Sequence, residues 1–190
     1  MKKIIIGLIS IIAILIVWVS INSSIQKDFS ISLTWGIGGE SYYNSETGVL
    51  RKTDNATTPK DYITTLFLSD DQKNQLYKMI LEMDIESYPE EYDPFNDPNA
   101  EKKIGGSKPP RRLVLHIKTA NIEKTIECCY AENFRRIKGY NEEAQAFLDL
   151  CELLYEMIIS SEEWKALPEY EFFYLYIDKN IIYHYNNFNA

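Results

Sequence analysis

The sequence is poor in the residues that build covalent frameworks and metal sites, with three cysteines and two histidines in 190 residues. An odd number of cysteines is a poor disulfide framework. Cys128 and Cys129 are adjacent, so on a strand they point to opposite faces. We expect three small apolar thiols, with a bridge between Cys128 and Cys151 as the alternative. Neither His116 nor His184 has a short spacing to a cysteine, which argues against a zinc site.

Catalytic and nucleotide-binding motifs are also missing from the sequence. Residues 36–39 hold three glycines, but they do not form G-x-G-x-x-G and no helical pattern follows, so we expect a turn or bulge. Asp70 and Asp71 follow a serine that caps a predicted helix, which explains both carboxylates without catalysis. His116 alternates with the apolar face of a strand and is assigned no role. The sequence therefore predicts no catalytic, cofactor-binding or metal-binding residue.

Charged side chains are absent between Lys3 and Lys27, and residues 4–21 form an almost unbroken apolar run. About 20 such residues are enough to cross the hydrocarbon core of a bilayer. Lys2 and Lys3 precede the run, and basic residues stay on the cytoplasmic side. We therefore expect a single-pass cell-membrane protein with its N-terminus in the cytoplasm.

Three segments follow from this interpretation: a signal anchor at residues 1–24, a linker at residues 25–28, and one extracytoplasmic domain at residues 29–190. The alternative is a cleaved signal peptide and a secreted domain, although no A-x-A cleavage site is present. Residues 29–190 are sufficient for one domain with a sizeable core.

The chain as a whole is acidic, with a formal net charge of −8. Nucleic acid needs clustered Lys and Arg, so this composition argues against a nucleic-acid partner. It is compatible with a basic partner, with cations or simply with solubility. The 14 tyrosines and 8 phenylalanines argue against a disordered chain.

Alternation of apolar and polar residues with a period of two predicts half-buried strands along much of the chain. Two hairpins give the strongest signals, one turning at residues 45–48, where glycine ends a four-residue turn, and one at residues 119–121. The predicted strands are residues 29–35, 41–44, 49–53, 62–68, 113–118 and 122–130.

Two helices are predicted from capping residues that precede apolar residues at three- and four-residue steps. Ser69 and Gln72 have the spacing of a capping box, and the helix that follows should end near Ile85. Asn141 has the position of an N-cap before a second apolar stripe that reaches Ile158.

Residues 88–110 form a long predicted loop with five of the seven prolines. Loops of more than about 15 residues are often functional, so this loop is a candidate partner-binding segment. A calcium site is the alternative, although Phe95 and Pro98 break the EF-hand pattern. The oxygen-bearing residues behind that alternative are Glu91, Asp93, Asp97, Asn99 and Glu101.

The C-terminal residues 170–188 are rich in tyrosine and phenylalanine. We expect two strands of the main sheet here, at residues 172–177 and 181–185. The alternative is an exposed aromatic surface that binds a protein or a sugar, because amphipathic aromatic side chains are favoured at interfaces.

Paired strands with two helices predict an α+β fold, with a mostly antiparallel sheet of hairpins and the helices on one face, preceded by the N-terminal transmembrane or signal helix. We predict a non-catalytic interaction module outside the cytoplasmic membrane. The membrane is contacted through residues 4–21, and a protein partner through residues 88–110 or 170–188.

Two alternative functions belong to other classes. A cell-envelope hydrolase would need carboxylates, or a serine and a histidine, converging in a cleft. An immunity-type protein would neutralise a basic toxin, whose capture an acidic surface would accelerate.

Overall fold

The computed structural model describes most of the predicted domain in several ranges. These are residues 28–37, 41–53, 61–99, 101, 111–129, 138–169, 177–178 and 181–182. The predicted signal anchor, residues 1–24, lies outside the described residues. Within these ranges, no helix combines the length and the apolar character needed to cross a bilayer.

Antiparallel pairing joins most of the strands into one sheet, here called the main sheet. Its strands are β1 (Ser30–Ile37), β2 (Ser41–Asn44), β3 (Val49–Thr53), β4 (Asp61–Thr65), β5 (Arg111–Lys118) and β6 (Glu123–Cys129). Across the sheet they follow the order β4-β3-β2-β1-β5-β6. Both predicted hairpins, β2–β3 and β5–β6, are confirmed.

One face of the main sheet is apolar because alternate residues of every strand point to the same side. Leu33 of β1 pairs with Tyr43 of β2 and with Leu115 of β5. Tyr43 in turn pairs with Leu50, and Leu115 with Ile126. All five side chains are fully buried, so they form a continuous row across five strands. We call this side of the sheet the core face and the other side the open face.

The helices of the described residues are α1 (Asp70–Glu82), α2 (Glu142–Ile159) and the short α3 (Glu162–Lys165), with a 3₁₀ turn at Ile85–Ser87. α1 begins with the predicted capping box: Ser69 Oγ accepts from the Gln72 amide, and Gln72 Oε1 accepts from the Ser69 amide. At α2, Asn141 Oδ1 accepts from the Ala144 amide at 2.7 Å, which confirms the predicted N-cap.

Aromatic rings show which face of the sheet the helices cover. Phe29, just before β1, and Trp35, within it, have the same parity as Leu33. The Phe29 ring lies 5.3 Å from that of Tyr77 on α1. The Trp35 ring lies 5.8 Å from that of Tyr155 on α2. The described structure is therefore α+β, as predicted, with an antiparallel sheet whose core face is covered by helices.

Several element ends differ from the predicted ends. β1 continues to Ile37, so residues 36–37 of the predicted turn belong to the strand, where they pair with Arg112 and Arg111. α1 stops at Glu82, and Ile85 belongs to the 3₁₀ turn that follows. β4 stops at Thr65, although the predicted strand continued to residue 68. The Leu66 amide makes a last hydrogen bond to the Gly48 carbonyl at 2.8 Å, and β3 begins only at Val49, so no partner strand remains beyond it.

Of the predicted C-terminal hairpin, the structure describes residues 177–178 and 181–182. β7 (Ile177–Asp178) and β8 (Ile181–Ile182) pair with each other in a separate two-stranded sheet, not in the main sheet. The other residues of the predicted hairpin, 172–176 and 183–185, lie outside the described residues.

Candidate functional site

The two edges of the main sheet differ in what covers them. Along β6, the Tyr92 amide donates to the Glu127 carbonyl at 2.8 Å, and the Glu127 amide donates to the Glu90 carbonyl at 2.7 Å. Residues 90–92 therefore run beside β6 and satisfy its backbone where they meet it.

At the opposite edge, the described residues include no strand that pairs with the outer side of β4. The hydrogen bond from Leu66 to Gly48 fixes which backbone groups turn inward. Along an antiparallel strand, residues whose amide and carbonyl face one neighbour alternate with residues whose amide and carbonyl face the other side. Thr64 and Tyr62, two and four residues before Leu66, therefore bond to β3. Asp61, Ile63 and Thr65 direct their amides and carbonyls outward, and we call these groups the β4 edge.

An exposed apolar cluster adjoins this edge on the open face. Ile63 is 68% exposed, Phe67 66% and Val49 38%. Val49 pairs with Thr65, which places it diagonally next to Ile63 across the two strands. We call Val49, Ile63 and Phe67 the apolar corner. Large apolar side chains this exposed need an explanation when they cluster, since contiguous apolar patches mark interaction sites.

The turn between β2 and β3 holds Phe67 in the apolar corner. Gly48 has φ of 71°, a left-handed conformation that favours glycine. A Cβ added to Gly48 would lie 2.6 Å from Cε1 of the Phe67 ring. The ring thus lies directly against the Gly48 backbone, and any Cβ at this position would require the ring to move.

Residues 88–99, within the predicted partner-binding loop, contribute aromatic side chains to the core. Tyr88, Tyr92 and Phe95 are buried. The Tyr88 ring centre lies 5.9 Å from that of Phe147 on α2, and the Tyr92 ring centre lies 5.3 Å from it. The exposed side chains of this segment are mainly polar and acidic, so a partner would meet carboxylates here, not aromatic rings.

The same segment uses its carboxylates in local turns. Asp93 accepts from the Phe95 amide at 3.2 Å and from the Asn96 side chain at 2.7 Å. Asp97 accepts from the Asn99 amide at 2.8 Å. In the part of the chain that the structure describes, no group of three or more His, Cys, Asp or Glu side chains is arranged to hold a metal ion.

The open face brings one serine and one histidine to neighbouring positions. Ser32 of β1 lies opposite His116 of β5 in the strand register. The His116 Nδ1 atom lies 2.9 Å from Thr125 Oγ1, and its Nε2 atom lies 3.7 Å from Glu123 Oε1. Nδ1 is thus within hydrogen-bond distance of β6 and Nε2 faces a carboxylate of β6, so this contact set does not aim the imidazole at Ser32 as a base aims at its nucleophile.

Cys128 and Cys151 are buried thiols in the same core and are not joined by a disulfide. Burial, and after it the proximity of Cys128, raises the pKa of Cys151 well above its ordinary value. A protonated and inaccessible thiol is a poor nucleophile and a poor metal ligand. The side chain of Cys129 lies outside the described residues.

Lys52 is a buried charge that sequence reasoning missed. It shares the core-face parity of Leu50, and its Nζ atom lies 4.7 Å from the centre of the Trp164 ring on α3. Burial lowers the pKa of Lys52, while the nearby Glu169 carboxylate opposes that shift. An ammonium over an indole face is worth about 2 kcal/mol when desolvated, so this contact helps to fasten α3 beside β4.

The apolar corner was also missed, although the strand pattern contained its signal. In the stretch 62–68, Ile63, Thr65 and Phe67 share one parity, opposite to that of Leu66 and Leu68. Side chains of alternate residues in an extended chain lie on opposite sides. Burial of Leu66 and Leu68 therefore exposes Ile63 and Phe67.

Comparison of the chain with protein-family models gives no match, and comparison with curated proteins gives none either. Function is therefore inferred from the geometry of the described residues.

Proposed function

We propose that this chain is a membrane-held, non-catalytic interaction module that binds a partner protein outside the cytoplasmic membrane. The observation that carries the proposal is the coincidence of the β4 edge with the apolar corner. A strand edge with outward amides and carbonyls accepts an extended segment of another chain by strand addition. Its backbone would supply hydrogen bonds, and the exposed Ile63 and Phe67 would select apolar side chains.

The membrane part of the proposal is supported by the sequence. Residues 4–21 are long and apolar enough for a signal anchor, and Lys2 and Lys3 favour a cytoplasmic N-terminus. In that orientation the β4 edge faces the extracytoplasmic side, within reach of envelope proteins.

Two further segments are proposed as secondary contacts. Residues 88–110 expose Glu90, Glu91 and Asp97 in their described part, so this surface favours a basic partner. That is also the chemistry that an immunity-type protein would require of its toxin. Residues 170–188 are proposed from their aromatic composition, since most of them lie outside the described residues.

Crosslinking in intact membranes, followed by capture of the tagged full-length chain, tests the proposal. We expect a specific crosslinked protein with the wild type and its loss with Ile63→Lys, because a charge at an edge opposes strand addition. Recovery from the membrane fraction tests the proposed location in the same experiment.

Leu81→Lys is the matched control, because Leu81 is 65% exposed but lies on α1, away from the edge. It should recover the same protein as the wild type. Identical protein sets from all three chains, or no crosslinked protein at all, would contradict the proposal.

A further inference from the structure

We infer that the partner at the β4 edge is a second copy of this chain, paired antiparallel across a two-fold axis at Ile63. The inference rests on the proposed function, because it names the partner for the same edge. It would join two main sheets into one continuous sheet through an isologous interface, in which the same patch of each copy meets itself.

The backbone of β4 is self-complementary in this register. Ile63 would face Ile63 of the second copy, and Asp61 would face Thr65 of the second copy. Of the described residues of β4, these three turn their amides and carbonyls outward. In an antiparallel ladder, such residues form the closely bonded pairs that exchange two hydrogen bonds each. If the second copy were shifted by one residue, Ile63 would face Tyr62 of that copy. The backbone groups of Tyr62 already bond to β3, so no hydrogen bonds could form there.

The side chains of the open face fit the same register. The two Ile63 side chains would lie next to each other across the axis, and each would cover apolar surface that is 68% exposed in the single chain. Facing pairs in an antiparallel ladder have Cβ atoms about 4.5–5.5 Å apart, close enough for direct contact. Pairing therefore removes from water the most exposed member of the apolar corner.

Local charge does not oppose this pairing. The Asp61 carboxylate accepts from the Thr53 hydroxyl at 2.7 Å and would face a threonine of the second copy, not another acid. The two Asp61 residues would stand four positions apart along the seam, about 13 Å at the rise of a strand. Charges separated by more than about 8 Å are largely screened at physiological ionic strength. The net charge of −8 per chain adds a longer-range repulsion, so salt should strengthen the pairing.

Sedimentation of the full-length chain in detergent, over a range of protein concentrations, measures the self-association directly. We expect a reversible dimer for the wild type and for Leu81→Lys. Ile63→Lys should weaken the dimer roughly 100-fold, since it removes two apolar contacts and places two ammonium groups together. A thermal melt of each variant confirms that the chain remains folded.

Single cysteines at the edge test the register. Ile63→Cys places two thiols at the axis, where the expected Cα separation of about 5.5 Å suits a disulfide. We expect rapid formation of a crosslinked dimer under mild oxidation. Asp61→Cys alone should not crosslink, but a mixture of Asp61→Cys and Thr65→Cys chains should. Wild type and Leu81→Cys, treated identically, measure the background from the native cysteines and from random collision.

The outcomes separate the inference from the proposed function. A wild type that stays monomeric, or an Ile63→Cys crosslink no faster than that of Leu81→Cys, overturns the inference. If the membrane capture experiment then recovers a different protein in an Ile63-dependent way, the interaction module stands with another partner. If neither a second copy nor another protein depends on Ile63, both proposals fail.

Discussion

Two buried tyrosines, Tyr88 and Tyr43, differ in the hydrogen bonding of their hydroxyl groups. The Tyr88 hydroxyl donates to the Glu143 carbonyl at 2.8 Å, which ties residues 88–99 to the first turn of α2. The Tyr43 side chain is fully buried, and the contact of its hydroxyl with the Leu68 backbone falls short of a well-formed hydrogen bond. A buried hydroxyl without a partner costs free energy, whereas a bonded one contributes about 1 kcal/mol net.

Exchange of each tyrosine for phenylalanine should therefore have different effects on the free energy of unfolding. Tyr88→Phe should lower it by about 1 kcal/mol, because it removes the hydrogen bond from the phenol to the Glu143 carbonyl. Tyr43→Phe should leave it unchanged or raise it, because no formed bond is lost. Urea unfolding at neutral pH measures both. A Tyr43→Phe chain that loses as much stability as Tyr88→Phe would show that the Tyr43 hydroxyl has a partner after all.

Single residues differ in how far the sequence can predict them. The burial of Lys52 and the exposure of Ile63 both follow from strand parity, so the necessary signal is local. The contact between Tyr88 and Glu143 joins residues 55 positions apart, and no local pattern announces it. The same is true of the buried aromatic residues in the loop that we predicted to be a partner-binding segment.

Among the elements, α1 shows most directly how a sequence pattern becomes a structure. Ser69 and Gln72 form two reciprocal hydrogen bonds, of 3.2 and 2.9 Å. They satisfy the backbone amides of Gln72 and Ser69, which have no acceptor within the helix. Asp70 and Asp71 lie in the first turn, where the helix dipole favours negative charge. Both acids thus have a complete explanation at the helix end.

Ser69→Ala should lower the free energy of unfolding by about 1 kcal/mol, because it removes the side-chain acceptor for the Gln72 amide. Ser69→Thr is the matched variant, since it keeps a hydroxyl at the cap and should retain most of the stability. The measurement is urea unfolding followed by helical circular dichroism. Equal stability of the alanine and threonine variants would mean that the cap contributes nothing.

Element types were predicted better than element ends, for a physical reason. Capping boxes and hairpin turns are short-range features, and both predicted hairpins and both helix starts are confirmed. The end of β4 depends on where β3 begins, and the 3₁₀ turn after α1 buries Ile85, so both ends are set by tertiary contacts.

At the scale of the whole molecule, strand order decides where the candidate site lies. β1 pairs with β5 across a long stretch of sequence, which puts β4 and β6 at the two edges. Local periodicity predicts strands but does not fix the order in which distant strands pair. The sequence therefore predicted an antiparallel α+β domain without predicting which edge carries exposed apolar side chains.

The core as a whole should also set the alkaline limit of the domain. Burial raises the pKa of Tyr43 and of Tyr88 to about 12, and it raises the pKa of Tyr92 as well, from an ordinary value of 10. Below pH 10 the three phenols are neutral in both the folded and the unfolded chain, so their contribution to stability is complete. Above it, only the unfolded chain ionises, and stability is lost as pH rises through the folded pKa values.

Each phenol that ionises only in the unfolded chain lowers the free energy of unfolding by about 1.4 kcal/mol per pH unit. Three such phenols give a slope of about 4 kcal/mol per unit between pH 10 and about pH 12, where Tyr43 and Tyr88 begin to ionise in the folded chain as well. That slope is steep against a total stability of about 5–15 kcal/mol. Urea unfolding at a series of alkaline pH values should show this fall. Tyr43→Phe should reduce the slope by about a third, because one ionising group is removed from the unfolded chain. An unchanged slope in that variant would contradict the raised pKa of the Tyr43 phenol in the folded chain.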